Sequence, residues 1–332
     1  MTTAKNKLDV WSVFNDAEVI VLTTHVRPDG DGIASELALY RILSSLGKKA
    51  YVLNQDKIPD MYAWLPDSQK IISQAENGSF RLPSIDLTVL LDCSSRDRIG
   101  SVYESIKHSK AIISIDHHQD SDCFRDDCFI DTSASSIGEL LYVVIPDIEK
   151  YIDHEVATCL YASILTDTGS FAFSNTSKRV FQIVAKLMDY GVCPDHVFRM
   201  IYNQKKLSHF RLLGKALELM KTDDTGKIVY VILPLTVYKK TGAGEDDNEG
   251  ILEVVRGLRN CELIIMLRQL NHKSFKCSLR SVRKVNCNYL AHLYGGGGHF
   301  KASGFVQKGD VRKMGPSVVE RICREVKEKR WV

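Results

Sequence analysis

The chain has 332 residues, enough for two domains of ordinary size, each with its own core. Its 44% apolar and 26% charged residues are those of a soluble globular protein, not of a disordered or fibrous one. A net charge of +3 is too small to imply a general nucleic-acid-coating surface, so an anionic substrate has to be met by local positive charge.

Other function classes fall away on local grounds. No run reaches the roughly 20 apolar residues of a membrane helix. Residues 1–9 are polar and lysine-containing, without the apolar centre of a secretion signal. Nine cysteines, an odd number with no Cys-x-x-Cys pair, argue against a disulfide scaffold and point to the reducing cytoplasm. Cys159 and Cys261 sit among apolar neighbours, while Cys123 and Cys128 lack the second pair that a zinc tetrad needs.

In chain order, the apolar run Val19-Ile20-Val21-Leu22 predicts a buried strand. It runs into His25-Val26-Arg27-Pro28-Asp29-Gly30-Asp31-Gly32, after which Ile33, Leu37, Tyr40, Leu43 and Leu46 recur at helical spacing. Further strands are expected at 50–53, at 86–91 running into Asp92, and at 111–115 running into Asp116-His117-His118. Helices are expected at 136–145 and at 155–165, the latter leading to Asp167. Alternating strands and helices predict an α/β fold with a doubly wound, mostly parallel sheet, and such a sheet brings its strand ends to one edge.

The pattern turns long and helical between Cys193 and Thr222, which reads as a connection between domains. A second, smaller α/β domain follows. Its strands are expected at 228–233, 263–267 and 275–279, with an acidic, glycine-rich loop at 242–250 and a helix at 251–258. Gly295-Gly296-Gly297-Gly298-His299 then precedes a basic helix at 318–330. The expected division is 1–195 for the first domain, 196–222 for a helical linker and 223–332 for the second, with a cleft between the two domains.

Gathered at one edge, His25, Asp29, Asp31, Asp92, His117 and Asp167 bring four carboxylates together, which repel one another if all are ionised. Two divalent cations remove that conflict, and mixed oxygen and imidazole donors suit Mn²⁺ better than Ca²⁺. Two such ions about 3.5–4 Å apart favour hydrolysis at phosphorus. Each motif alone has an ordinary structural explanation as a cap or a turn; their joint occurrence at element ends is what carries the reading. Four successive glycines imply a positive φ or a close approach to the main chain, and their amides with His299 suit an anion. Arg280 at a strand end offers a phosphate fork.

Together these residues resemble the DHH phosphoesterase superfamily. The matching positions are His25-x-x-Pro28-Asp29-x-Asp31, Asp92, Asp116-His117-His118 and Asp167. Ser278-Leu279-Arg280-Ser281 and the Gly295–His299 run resemble the DHH-associated domain of the nano-RNase and phosphoadenosine-phosphate phosphatase branch.

The resemblance implies one metal on His25, Asp29 and Asp92, and a second on Asp31, Asp92, His117 and Asp167, with Asp92 bridging. It implies that Asp116 orients the histidines and that His118 faces the scissile phosphate. Arg280, Ser281, Gly296, Gly297, Gly298 and His299 would hold substrate. Family II pyrophosphatases lack the Gly-Gly-Gly-Gly-His loop, the single-strand exonucleases are larger, and the membrane-bound cyclic-dinucleotide phosphodiesterases carry added domains. The implied enzyme is a Mn²⁺-dependent phosphodiesterase of very short oligoribonucleotides or linear and cyclic dinucleotides. No membrane and no long nucleic acid is expected as partner; a homodimer is compatible with the sequence. The alternatives are a phosphomonoesterase acting on phosphoadenosine phosphate and a catalytically silent nucleotide-binding regulator.

Overall fold

The structure is a computed structural model, and it describes residues 9–77, 82–118, 123, 128–298 and 300–331. The chain forms two compact units, Met1–Gln204 and Lys205–Val332.

The first unit carries six strands: β1 (Val19–Thr23), β2 (Lys49–Asn54), β3 (Ile71–Ser73), β4 (Leu87–Leu91), β5 (Ala111–Asp116) and β6 (Cys128–Ile130). They form one parallel sheet in the order β3-β2-β1-β4-β5-β6. The chain winds outward from β1 through β2 to β3, returns to β4 beside β1, and winds the other way. β1 and β4 therefore flank the point where the order reverses, and the segments leaving their carboxyl ends diverge. β4 is buried at every position, as a strand covered on both faces must be.

The helix Gly30–Ser45 starts at Asp29, whose side chain accepts from the amides of Asp31 and Gly32. It packs against the helix His154–Asp167 through a glycine. A Cβ on Gly30 would stand 2.5 Å from the Thr166 methyl, so no larger residue fits there without a shift.

Two strands and several helices of this unit escape the sequence reading, among them Val10–Asp16 and Lys178–Met188. β3 and β6 have three residues each, too few to show a period. The helix Lys178–Met188 had a readable signal: Ser177 caps it, and Val180, Ile183, Val184 and Leu187 form its buried stripe. Cys123 and Cys128 are joined in a disulfide, a local pair the cysteine count did not suggest. The other seven cysteines are free and all but Cys193 are buried.

The second unit holds β7 (Lys221–Thr222), β8 (Ile228–Leu233), β9 (Leu263–Asn271), β10 (Ser274–Ser281), β11 (Gly297–Gly298) and β12 (Ala302–Lys308), in the order β11-β12-β10-β9-β8-β7. Only β8 and β9 pair in parallel. Its apolar residues form two clusters, one including Ile265, Leu279, Phe305 and Ile322, the other Leu212, Val231, Ile264 and Val255.

The expected linker at 196–222 is not a separate element. Pro194–Tyr202 buries Val197 and Ile201 in the first unit's core, and Leu207–Leu219 buries Leu212 and Ala216 in the second's. An amphipathic helix docks its apolar stripe on the nearest core, so the boundary falls in the short segment between the two. The last helix also starts earlier than expected, at Val311 after the Asp310 cap, with Pro316 inside it. Burial of Val311, Val318, Val319 and Ile322 outweighs the proline there.

Candidate metal centre

The first unit brings all six residues expected as metal ligands to the carboxyl edge of its sheet. His25 follows β1, Asp29 and Asp31 open the helix behind it, and Asp92 follows β4. His117 follows β5, and Asp167 ends the helix His154–Asp167. Asp92 sits at the point of reversal with φ of +58°, a left-handed conformation that costs a non-glycine residue of order 1 kcal/mol and turns its carboxylate out of the strand direction.

Three groups of donors lie close enough for one ion each: His25, Asp29 and Asp92; Asp31, His117 and Asp167; and Asp92, His117 and His118. His25 Nε2 is 3.2 Å from Asp92 Oδ2 and 3.8 Å from Asp29 Oδ2. Its Nδ1 lies 2.9 Å from the Val26 carbonyl, and donation there leaves the Nε2 lone pair directed at the carboxylates. His117 Nε2 stands 3.5 Å from Asp31 Oδ2, 3.4 Å from Asp92 Oδ1 and 3.5 Å from Asp167 Oδ2.

His25 Nε2 is within hydrogen-bond distance of Asp92, whereas the three His117 separations are longer than a normal hydrogen bond. The His117 values lie close to the roughly 3.0–3.4 Å between neighbouring donors that each sit about 2.1 Å from a shared ion. Asp92 Oδ1 and His117 Nε2 are also fully buried without a hydrogen-bond partner. Buried polar atoms that converge without bonding one another fit a bound cation.

The electrostatics agree. Burial alone pushes the His25 and His117 imidazoles down, but the facing carboxylates outweigh it and raise both to about 10. Burial likewise works against an ionised Asp92, yet His117 and His25 hold its carboxyl well below the usual range. Burial, opposed by His117 and reinforced by Asp92, raises Asp167 to about 7. Asp31 is raised well above its ordinary value by burial and by the charges of Asp92 and Asp167. Divalent cations among these groups would remove the repulsion that raises Asp31 and Asp167.

Supporting contacts orient the donors. Asp116 Oδ1 accepts from the amides of His117 (2.8 Å) and His118 (3.1 Å) and lies 2.7 Å from His118 Nδ1. His118 keeps 29% of its side chain exposed, against 11% for His117, so it stands at the rim. Sequence reasoning missed Ser163, whose hydroxyl donates to Asp31 Oδ1 and accepts from the Gly138 amide at 2.7 Å. The Ile137 amide, at the start of another helix, donates to Asp31 Oδ2 at 2.8 Å. Behind β1, buried Glu36 accepts from Asn54, and Asn54 accepts from the Thr24 amide next to His25. The readable signal for Glu36 was a carboxylate in a helix buried almost all round.

The second unit holds the remaining expected residues differently. On β10, Phe275, Cys277, Leu279 and Ser281 are buried, while Lys276, Ser278 and Arg280 share the half-exposed face. Ser281 therefore points away from Arg280, because successive strand residues face opposite sides. The Arg280 Nε lies 3.7 Å from Glu253. In the glycine run, Gly295 and Gly296 donate to His292 and Ala291, and Gly297 and Gly298 pair with β12. Close approach explains Gly296, where a Cβ would stand 2.3 Å from the Gly304 carbonyl oxygen. His299 lies outside the described residues.

Comparison with known proteins agrees with this geometry. Residues 19–164 match the DHH family, N-terminal domain. The chain is 31% identical to the bifunctional oligoribonuclease and PAP phosphatase NrnA of Thermus thermophilus, over 92% of this chain and 90% of that protein. It is 25% identical to the protein of the same name from Bacillus subtilis, over 93% of this chain and 96% of that one. A crystal structure of an exopolyphosphatase-related protein from Bacteroides fragilis superposes with a TM-score of 0.88 at 29% identity, covering 96% of this chain and 95% of that one. The chain belongs to the DHH family of phosphoesterases.

Proposed function

We propose that the protein is a two-metal phosphodiesterase that hydrolyses very short oligoribonucleotides and dinucleotides to mononucleotides. The observation that carries this reading is the convergence of His25, Asp29, Asp31, Asp92, His117 and Asp167 on positions at ligand–ligand spacing. His25, Asp29 and Asp92 would hold one ion, and Asp31, His117 and Asp167, with Asp92, would hold the other. Two divalent ions, of which Mn²⁺ suits this donor set, would supply an activated water and charge neutralisation at phosphorus.

The chain's own residues do the rest. Asp92 stays ionised where the two donor groups meet. Asp116 fixes the His118 ring through Nδ1, so that His118 meets the scissile phosphate in a set orientation. Asp31, held by Ser163 and by the Ile137 amide, presents its carboxylate without having to reorganise. Arg280, on the open face of the second unit's sheet, is a candidate contact for substrate phosphate.

The names of the two relatives support these substrates, and their bifunctional description supports a second activity on the phosphomonoester of phosphoadenosine phosphate. The test is a product profile with Mn²⁺ on diadenylate, short RNA and phosphoadenosine phosphate. Mononucleotides should form and chelation should abolish them; silence on all three with every divalent metal tried overturns the reading. Asp92→Asn should lower bound metal about 10- to 100-fold in affinity, read by elemental analysis after dialysis. His118→Ala should keep the metal and lose about 10²-fold or more in turnover.

A further inference from the structure

Asn175 lies half-buried in the segment that follows Asp167. Its Nδ2 donates to the Asp167 carbonyl at 3.1 Å and to the Ser135 carbonyl at 3.2 Å. A carboxamide carries two N–H donors, so both are spent on these two oxygens. Its Oδ1 is buried and has no hydrogen-bond partner among the described residues. A buried acceptor left unpaired is unfavourable, so the group is oriented for the two carbonyls rather than for its own satisfaction.

The chain reverses sharply to bring Asn175 back to Asp167. Gly169, Ser170 and Phe171 follow one another at φ of +54°, +58° and +66°, and the last two pay the steric cost of a side chain there. The turn is held by the Ser170 amide on the Leu165 carbonyl at 2.8 Å and the Phe171 amide on Thr168 Oγ1 at 3.1 Å. The Asp167 carbonyl is among the last four of its helix, which find no partner inside it, and Asn175 supplies one.

The Ser135 peptide is gripped from both sides. Its carbonyl takes Asn175, and its amide donates to Glu139 Oε2 at 2.5 Å. Glu139 is buried, and its other oxygen accepts from Arg179, four residues after Asn175. Two residues beyond Ser135 stands the Ile137 amide that bonds Asp31. One carboxamide thus ties the end of the helix carrying Asp167 to the segment that holds Asp31. Those two carboxylates belong, with His117, to one group of donors. His25, Asp29 and Asp92 form another group, on the segments that follow β1 and β4, and Asn175 makes its two bonds elsewhere.

We propose that Asn175 is a positioning residue for the ion at Asp31, His117 and Asp167: it sets the spacing of the two carboxylates, while the ion at His25, Asp29 and Asp92 does not depend on it. The inference rests on the two-ion reading of the site and goes beyond it by making the two positions separable.

The experiment strips the full-length protein and its Asn175→Ala, Asn175→Asp and Asn175→Ser variants with chelator and titrates each with Mn²⁺, followed by calorimetry and electron paramagnetic resonance. The wild type should take up two ions per chain, with a spectrum broadened by their mutual coupling. Asn175→Ala should bind one ion about tenfold or more weakly and the other within about twofold of the wild type, and at low filling it should show the sharp spectrum of an isolated Mn²⁺. Asn175→Asp keeps the shape without the two donors and should behave like Asn175→Ala. Asn175→Ser keeps one donor and should fall between, and it carries the same test if the other two do not fold. A role in packing alone would lower the melting temperature, weaken both ions together and leave Asn175→Asp like the wild type. Equal loss at both positions, loss at neither, or wild-type behaviour of Asn175→Asp overturns the inference and leaves the two-ion reading standing. Fewer than two ions in the wild type overturns the two-ion reading and the inference with it.

Discussion

Asp31 shows how much of a proposed metal ligand's behaviour is set by groups that would touch neither ion nor substrate. Its carboxylate is buried, yet the Ser163 hydroxyl and the Ile137 amide bond it directly, so its direction is fixed before any ion arrives. Ser163→Ala should therefore weaken metal affinity about 10- to 100-fold by titration calorimetry, while Ser163→Thr retains more of it. Glu36 carries a different consequence. Burial, only partly offset by Asn54, raises its carboxyl from 4.5 to about 8. Between those values the folded chain keeps a proton that the unfolded chain has released, so stability falls as pH rises through that window. Glu36→Gln removes this ionisation. Denaturation at several pH values should show the variant gaining on the wild type by about 1.4 kcal/mol per pH unit across the window, with no gain below it.

At the level of elements, the site depends on two helix ends meeting closely. Gly30 opens the helix that carries Asp31, and its nearest neighbour is Thr166, the residue before Asp167. Gly30→Ala should cost about 1–3 kcal/mol in chemical denaturation, as overpacking does, and should lower metal affinity because both ends carry ligands. β1, β4, β5 and the helix ending at Asp167 were legible from their sequence because each is an apolar run or periodic stripe that stops at a polar residue. The helix Lys178–Met188 was equally periodic and was passed over; β3 and β6 were too short to carry a period. The pairing of Gly297 and Gly298 with β12 is a further feature that nothing within Gly295–Gly298 itself reveals.

For the whole molecule, each unit has its own core, and the second has apolar clusters of its own on Leu212–Met266 and Ile228–Val326. Residues 205–332 expressed alone should therefore unfold cooperatively on heating, followed by circular dichroism; a gradual, non-cooperative change would show that this core is incomplete by itself. Among the described residues no helix is long and apolar enough to cross a membrane.

What the amino-acid order determined by itself was local: which runs are apolar, where each stops, and that carboxylates and imidazoles stand at the stops. Those are properties of neighbours in the chain, and periodicity reports them directly. The tertiary structure alone decided the rest. It placed β1 beside β4, set three oxygens at near-equal distance around His117 Nε2, and put Ser281 on the opposite side of its strand from Arg280. Each of these depends on which distant segments pack together, and the energy that chooses among such packings is spread over the whole core rather than written in any one stretch.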